Sequence, residues 1–202
     1  MHISTRTILL CIVAEALNLI TAYIFYDTLQ LPLFMDTIFT VAITFYCGLL
    51  PGVLVAIFYN VIATLTFPIR DYTFEPYAML FAICGALVAF STWLFARHKE
   101  DFRISKTITV LYLILIALVS SFMSVIAGGV IDCIRFTFAD LPDRMAPIKD
   151  FTDTFRSLHY SLLASCFLGQ IPVSLTDRMI TTFAGYGVYR CMVRVMGNER
   201  WK

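Results

Sequence analysis

The chain has 202 residues, 59% of them hydrophobic and only 14% charged, with a mean hydropathy of +0.81. Soluble domains carry roughly 25% charged residues where they meet water, so this composition excludes an ordinary soluble globular protein and points to a lipid-facing surface. Fifteen basic and fourteen acidic residues leave a formal net charge of +1, which excludes a nucleic-acid binder working through bulk positive charge.

A helix needs about 20 residues to cross a hydrocarbon core of ~30 Å. The apolar run Ile8–Tyr26 predicts the first span. It does not read as a cleavable signal peptide, because Glu15 and Asn18 interrupt it and no small-residue cleavage pattern follows. Leu31–Leu50 predicts a second span, broken at Pro51-Gly52 before a short third, Val53–Phe67, so that the two form a tight hairpin. Tyr77–Phe95 is the fourth, and Thr107–Ala127 the fifth, ending at Gly128-Gly129. A polar stretch, Asp132–Arg156, separates these from an apolar region, Leu158–Val195, long enough for two spans or for one span preceded by a half-inserted helix.

Charge placement decides between those two, since cytoplasmic loops carry the excess of Lys and Arg. With six spans and both ends inside, the inner side holds Arg6, Arg97, Lys99, Arg103, Lys106, Arg190, Arg194, Arg200 and Lys202 against Glu100, Asp101 and Glu199. The outer side holds Arg70, Arg135, Arg144, Lys149 and Arg156 against eight acids. A seventh span would put the basic C-terminus outside. The expectation is therefore an all-α membrane protein, one membrane domain over residues 1–202. It has six transmembrane helices, both termini cytoplasmic, and an additional short helix on the outer face (Leu158–Gly169) before a last span at Ser174–Val195.

Small residues recur every fourth position in three places: Ala14, Asn18 and Ala22; Ala78, Ala82 and Ala86; Ser120, Ser124 and Gly128. Such stripes let helices approach closely in lipid and read as packing seams, the first of which is also a candidate partner interface. Intramembrane polar residues raise functional questions. Glu15 stands on the first span without an evident partner. Asp36, Thr40 and Thr44 follow one another at helical spacing on the second, and Asn60 and Thr64 on the third; Asp177-Arg178 opens the last. Asp36 fits either a helix N-cap at the interface or a binding residue, and Asp177-Arg178 either a self-neutralised interfacial pair or part of a site. His159 reads as structural or interfacial.

The six cysteines (Cys11, Cys47, Cys84, Cys133, Cys166 and Cys191) form no C-x-x-C pair and read as packing residues, so no metal or other cofactor is expected. No phosphate loop, H-E-x-x-H helix or nucleophile elbow is present, and Gly185-Tyr-Gly187 lacks the third glycine of a dinucleotide fingerprint. The chain is not expected to be an enzyme. Any transport it takes part in needs energy from a partner or an ion gradient.

The run Leu31-Pro-Leu-Phe-Met-Asp-Thr-Ile-Phe-Thr40, together with Asn18, Gly48-Leu-Leu-Pro-Gly52, Asn60, Gly128-Gly129 and Asp177-Arg178, resembles the substrate-binding S components of energy-coupling-factor (ECF) transporters. The likeness is to the substrate-unassigned branch of that family, and is strongest over residues 18–60. Phe39 stands where that branch usually has glycine. The first span lacks the family's A-x-x-x-A docking motif, although Ala14, Asn18 and Ala22 form a similar small face. The resemblance implies capture of a vitamin or similar micronutrient near the outer face of a bacterial cytoplasmic membrane, with Asp36, Thr40, Asn60, Asp177 and Arg178 as candidate binding residues. It also implies a transmembrane T subunit and two cytoplasmic ATPase subunits as partners. The same domain is similar to sensory modules of histidine kinases, which leaves a stand-alone membrane sensor or adaptor as the alternative.

Overall fold

The computed structural model describes residues 4–29, 31, 33–66, 76–97, 102, 105–138 and 146–197. Of the charges counted above, Arg70, Lys99, Glu100, Asp101, Arg103, Arg144, Glu199, Arg200 and Lys202 lie outside these residues, with four of the eight outer acids (Asp71, Glu75, Asp140 and Asp143), as does the expected end of the third span at Phe67. The described residues contain helices and no strand.

Helix α1 (Thr5–Ala22) is capped by Ser4, whose hydroxyl accepts the Thr7 N–H at 3.2 Å, and widens into a π-helical turn over Tyr23–Thr28. The chain then leaves the helix. The expected span at 31–50 is instead a non-helical segment followed by a half-length helix, α2 (Ile38–Cys47), about 15 Å long. Met35 there takes a φ of +49°.

Irregular backbone inside such a bundle needs side chains to satisfy its polar groups, and three distant residues do so. The Met35 N–H donates to Asp177 Oδ1 at 2.8 Å, the Met35 carbonyl accepts from Thr21 Oγ1 at 2.8 Å, and the Phe39 N–H donates to Asn18 Oδ1 at 3.0 Å.

The helical hairpin turns at Gly48, not at Pro51-Gly52. Gly48 has φ +99°, a conformation open to glycine, and a single residue separates α2 from α3 (Leu49–Thr66). Pro51 sits in the first turn of α3, where its missing N–H leaves no ladder bond unmade. Gly52 provides close approach: a Cβ there would overlap Thr44 Oγ1. The third helix is therefore 18 residues long rather than short.

A 3₁₀ turn (Pro76–Phe81) leads into α4 (Ala82–Ala96), close to the expected fourth span. The buried face of α4 holds Cys84, Gly85, Val88, Ala89, Ser91, Thr92 and Ala96, whereas Ala78, Ala82 and Ala86 are half-buried, so that proposed seam is displaced by part of a turn.

Helix α5 (Lys106–Phe138) does not stop at Gly128-Gly129 but continues through it to 33 residues. The two glycines serve packing: a Cβ on Gly128 would lie 3.2 Å from Gln170 Nε2, and one on Gly129 would overlap the Phe167 ring. The Ser120, Ser124 and Gly128 stripe is buried, as a seam requires.

The short extra helix is α6 (Ala146–Ser157), within the stretch expected to be a polar loop. Residues 162–169 instead form the first two turns of α7 (Leu162–Met196), which runs 35 residues through Pro172. Ser161 caps α7 by accepting the Ala164 N–H at 3.3 Å, and Thr152 of α6 packs on Gly169.

The two ends of the chain meet. Arg6 donates to the Met196 carbonyl at 3.2 Å and to Tyr46 Oη at 3.3 Å, and Tyr46 Oη donates to the Gly197 carbonyl at 2.9 Å. Near this end the rings of Phe45, Phe102, Tyr186 and Tyr189 pack on one another at 5.3–5.9 Å, over a core of Val41, Val88, Leu113 and Ile116.

Among the described residues, four helical segments are long and apolar enough to cross a membrane: Thr5–Phe25, Leu49–Thr66, Pro76–Ala96 and Lys106–Phe138. The polarity pattern agrees with a lipid surround. Leu9, Ile12, Phe58, Leu111 and Phe122 are exposed, while Asn18, Thr44, Ser120, Asp132, Gln170, Asp177 and Arg178 are buried. The fold is compatible with a multi-pass membrane protein.

Candidate ligand-binding site

The half-length helix α2 begins beside the middle of α7, and the charged residues converge there. Arg178 projects from α7 between Asp36 and Asp177: its Nη1 lies 3.8 Å from Asp36 Oδ1 and 3.2 Å from Asp177 Oδ2, and it donates a hydrogen bond to Thr37 Oγ1. Asp177 and Arg178 are buried, with side chains 0% and 5% exposed, whereas Asp36 keeps 18%.

Partner bonds explain the placement. Asp177 Oδ1 accepts the Met35 N–H, fixing the unwound segment against α7. The Gly185 backbone allows α2 to approach α7 one to two turns further on, since a Cβ there would lie 2.6 Å from the Ile38 carbonyl oxygen.

The cluster is incompletely satisfied. Asp36 Oδ1, Asp177 Oδ2 and Arg178 Nε are buried without a hydrogen-bond partner, as are Thr181 Oγ1 and Thr182 Oγ1 on the next turn of α7. Neighbours in sequence on a helix do not face each other, which accounts for an Asp177–Arg178 contact that is close in distance yet not a directional hydrogen bond. Unpaired polar atoms of this kind hold donor and acceptor capacity for another molecule.

The expected site residues thus divide. Asp36, Asp177 and Arg178 come together. Thr40 instead accepts the Asn18 Nδ2–H at 3.0 Å, and its carbonyl accepts from Thr44 Oγ1 at 2.7 Å. Asn60 donates to the Ala56 carbonyl of its own helix at 2.9 Å and lies beside Gly85 on the α3–α4 seam. Thr40 and Asn60 are held by partners outside the charged cluster. The N-cap reading of Asp36 is not met: Thr37, not Asp36, is the residue before α2, and Asp36 faces Arg178.

The face of Ala14, Asn18 and Ala22 is not a free partner interface. All three residues are buried by this chain: Ala14 packs with Ile43 and Val55, Ala22 with Tyr59 and Ala63, and Asn18 bonds to Thr40 and Phe39. It is an internal seam. His159 is exposed, in a left-handed conformation (φ +66°) at the turn between α6 and α7.

Sequence reasoning missed a second polar group one to two turns along α7. Asp132 of α5 accepts from Arg135 Nη1 at 3.2 Å and from Gln170 Nε2, and Ser174 Oγ lies 3.1 Å from Gln170 Oε1. Arg135 also lies over the Phe81 ring, 5.2 Å from its centroid. Its signal was an acid–base pair three residues apart facing a Gln-x-x-x-Ser stripe. Among the described residues, no group of three or more His, Cys, Asp or Glu side chains is arranged to hold a metal ion. The chain matches no protein-family model, no curated protein and no solved structure.

Proposed function

We propose that this chain is a ligand-capturing membrane subunit that hydrolyses nothing itself. More narrowly, we propose the S component of an ECF-type importer for a vitamin or comparable micronutrient in a bacterial cytoplasmic membrane. The observation that carries the first step is the Asp36–Arg178–Asp177 cluster. Charged groups inside a lipid-surrounded bundle are strongly disfavoured unless they pair or serve a ligand, and these pair incompletely. Discontinuous helices that expose a half-helix end and unwound backbone to a buried site are a recurrent way for membrane proteins to hold solutes, and the 33–37 segment with α2 is of that kind.

The second step rests on the sequence resemblance, whose key residues (Asn18, Asp36, Gly48, Gly52, Asp177 and Arg178) have separate structural uses. In this reading α7, and α2 with its preceding segment, complete six spans. Arg6 meeting Met196 supports both ends lying on one side, the cytoplasmic one by its excess of Lys and Arg.

Co-expression with the T and ATPase subunits of its own host tests the proposal. Affinity purification through this chain is expected to bring down all three other subunits. A folded chain that never holds them would refute the importer reading.

A further inference from the structure

The charges around Arg178 do not balance. From the non-helical segment come Asp36 and Thr37, from α7 Asp177, Arg178 and Thr181, from α4 Cys84, and from α5 the pair Asp132 and Arg135. Asp132 is matched by Arg135 at 3.2 Å. Arg178 alone answers both Asp36 and Asp177. Among the described residues the Arg178 cluster therefore sets two carboxylates against one guanidinium group, an excess of one negative charge, with Asp177 and Arg178 almost fully buried. An uncompensated buried charge is strongly unfavourable, so an occupant that brings a positive charge is favoured at the site.

The unpartnered atoms narrow the chemistry. Asp36 Oδ1 and Asp177 Oδ2 require a donor; Arg178 Nε, itself a donor, requires an acceptor. A bare metal ion would balance the charge but leave Arg178 Nε unmet. An anion would meet Nε but deepen the excess. A neutral molecule would leave the excess as it is.

We propose that the site recognises a ligand bearing a cationic nitrogen beside an uncharged hydrogen-bond acceptor, the nitrogen on the two aspartates and the acceptor on Arg178. The inference rests on the reading of this cluster as the ligand site and adds the class of ligand. Asp36, the most exposed of the three, is the side from which such a group enters.

Thermal unfolding of the purified full-length protein in detergent tests this with defined probes. Ethanolamine hydrochloride carries the cation and a hydroxyl acceptor; N-acetylethanolamine is its neutral counterpart; sodium chloride at matched ionic strength controls for salt and tests a metal ion. Ethanolamine at about ten times its dissociation constant is expected to raise the melting temperature by about 3 °C, with no shift from the other two.

Asp36→Asn and Asp177→Asn are expected to abolish that shift, and ligand-free Asp36→Asn is expected to melt above wild type because the excess charge is gone. Should Asp177→Asn fail to fold, Asp36→Asn carries the test. No ethanolamine shift, an equal shift from either control, a shift that persists in the variants, or a lower melting temperature for ligand-free Asp36→Asn would each overturn the proposal. Failure to assemble with T and ATPase subunits would sink the importer reading and leave these shifts untouched.

Discussion

Replacing Arg178 by alanine is the perturbation whose outcome the structure specifies most sharply. The change deletes the only cation within 4.0 Å of the Asp36 and Asp177 carboxylates among the described residues, together with the hydrogen bond to Thr37. Removing one partner of a buried ion pair destabilises by about 3–5 kcal/mol, far more than the net worth of the pair, because the remaining charge is stranded. Asp177 sits at the upper end of that range, being fully buried, while the partial exposure of Asp36 lowers its share.

A chain of this size loses about 2–4 °C of melting temperature per kcal/mol, so Arg178→Ala is expected to melt roughly 10 °C below wild type. The double variant Asp177→Asn/Arg178→Ala strands one carboxylate fewer and is expected to recover about 1–3 kcal/mol relative to additivity. Thermal and denaturant unfolding in one detergent, read by near-ultraviolet circular dichroism, measures both. An Arg178→Ala variant within about 1 kcal/mol of wild type, or an additive cycle, would refute the claim that Arg178 neutralises these carboxylates.

Asn18→Ala removes the acceptor of the Phe39 N–H and the donor to Thr40, and is expected to destabilise by about 2 kcal/mol in the same assay. Gly185→Ala would place a Cβ 2.6 Å from the Ile38 carbonyl oxygen and 2.7 Å from Val41 Cβ, and is expected to cost about 1–3 kcal/mol. Gly187→Ala, two residues on and facing open space, is expected to be neutral or to stabilise by up to about 1 kcal/mol. For topology, single cysteines introduced on a background without native cysteines are expected to react with an impermeant reagent in intact cells at position 143 and not at position 202. The reverse pattern would overturn the six-span arrangement.

Helices long and apolar enough to cross a membrane were legible because they depend on long runs of apolar side chains, as in Thr5–Phe25 and Pro76–Ala96, where composition and length suffice. Helix ends were less legible. Gly128-Gly129 and Pro172 are local stop signals, yet both lie inside long helices. The glycines are required where Gln170 and Phe167 pack, and the proline interrupts one ladder position in a helix held by α5, α2 and α6. Stopping the fifth helix early left Asp132 and Arg135 in a loop, which concealed the second polar group.

The unwound segment before α2 was illegible for a different reason. Its apolar run reads equally as helix, and the irregular backbone is satisfied by Thr21 and by Asp177, the latter 142 positions away in sequence. Asp36, Asp177 and Arg178 could be singled out because charge within apolar sequence is rare. Thr37, adjacent to Asp36, carried no such contrast, although Arg178 bonds to it.

The central claim, that this membrane bundle captures a small molecule at the Arg178 cluster, is tested most directly by native mass spectrometry of gently purified protein expressed in rich medium. Wild type is expected to retain a small-molecule adduct, and folded Asp36→Asn and Asp177→Asn are expected to have lost it. No adduct on wild type, or the same adduct undiminished on both variants, would contradict the account.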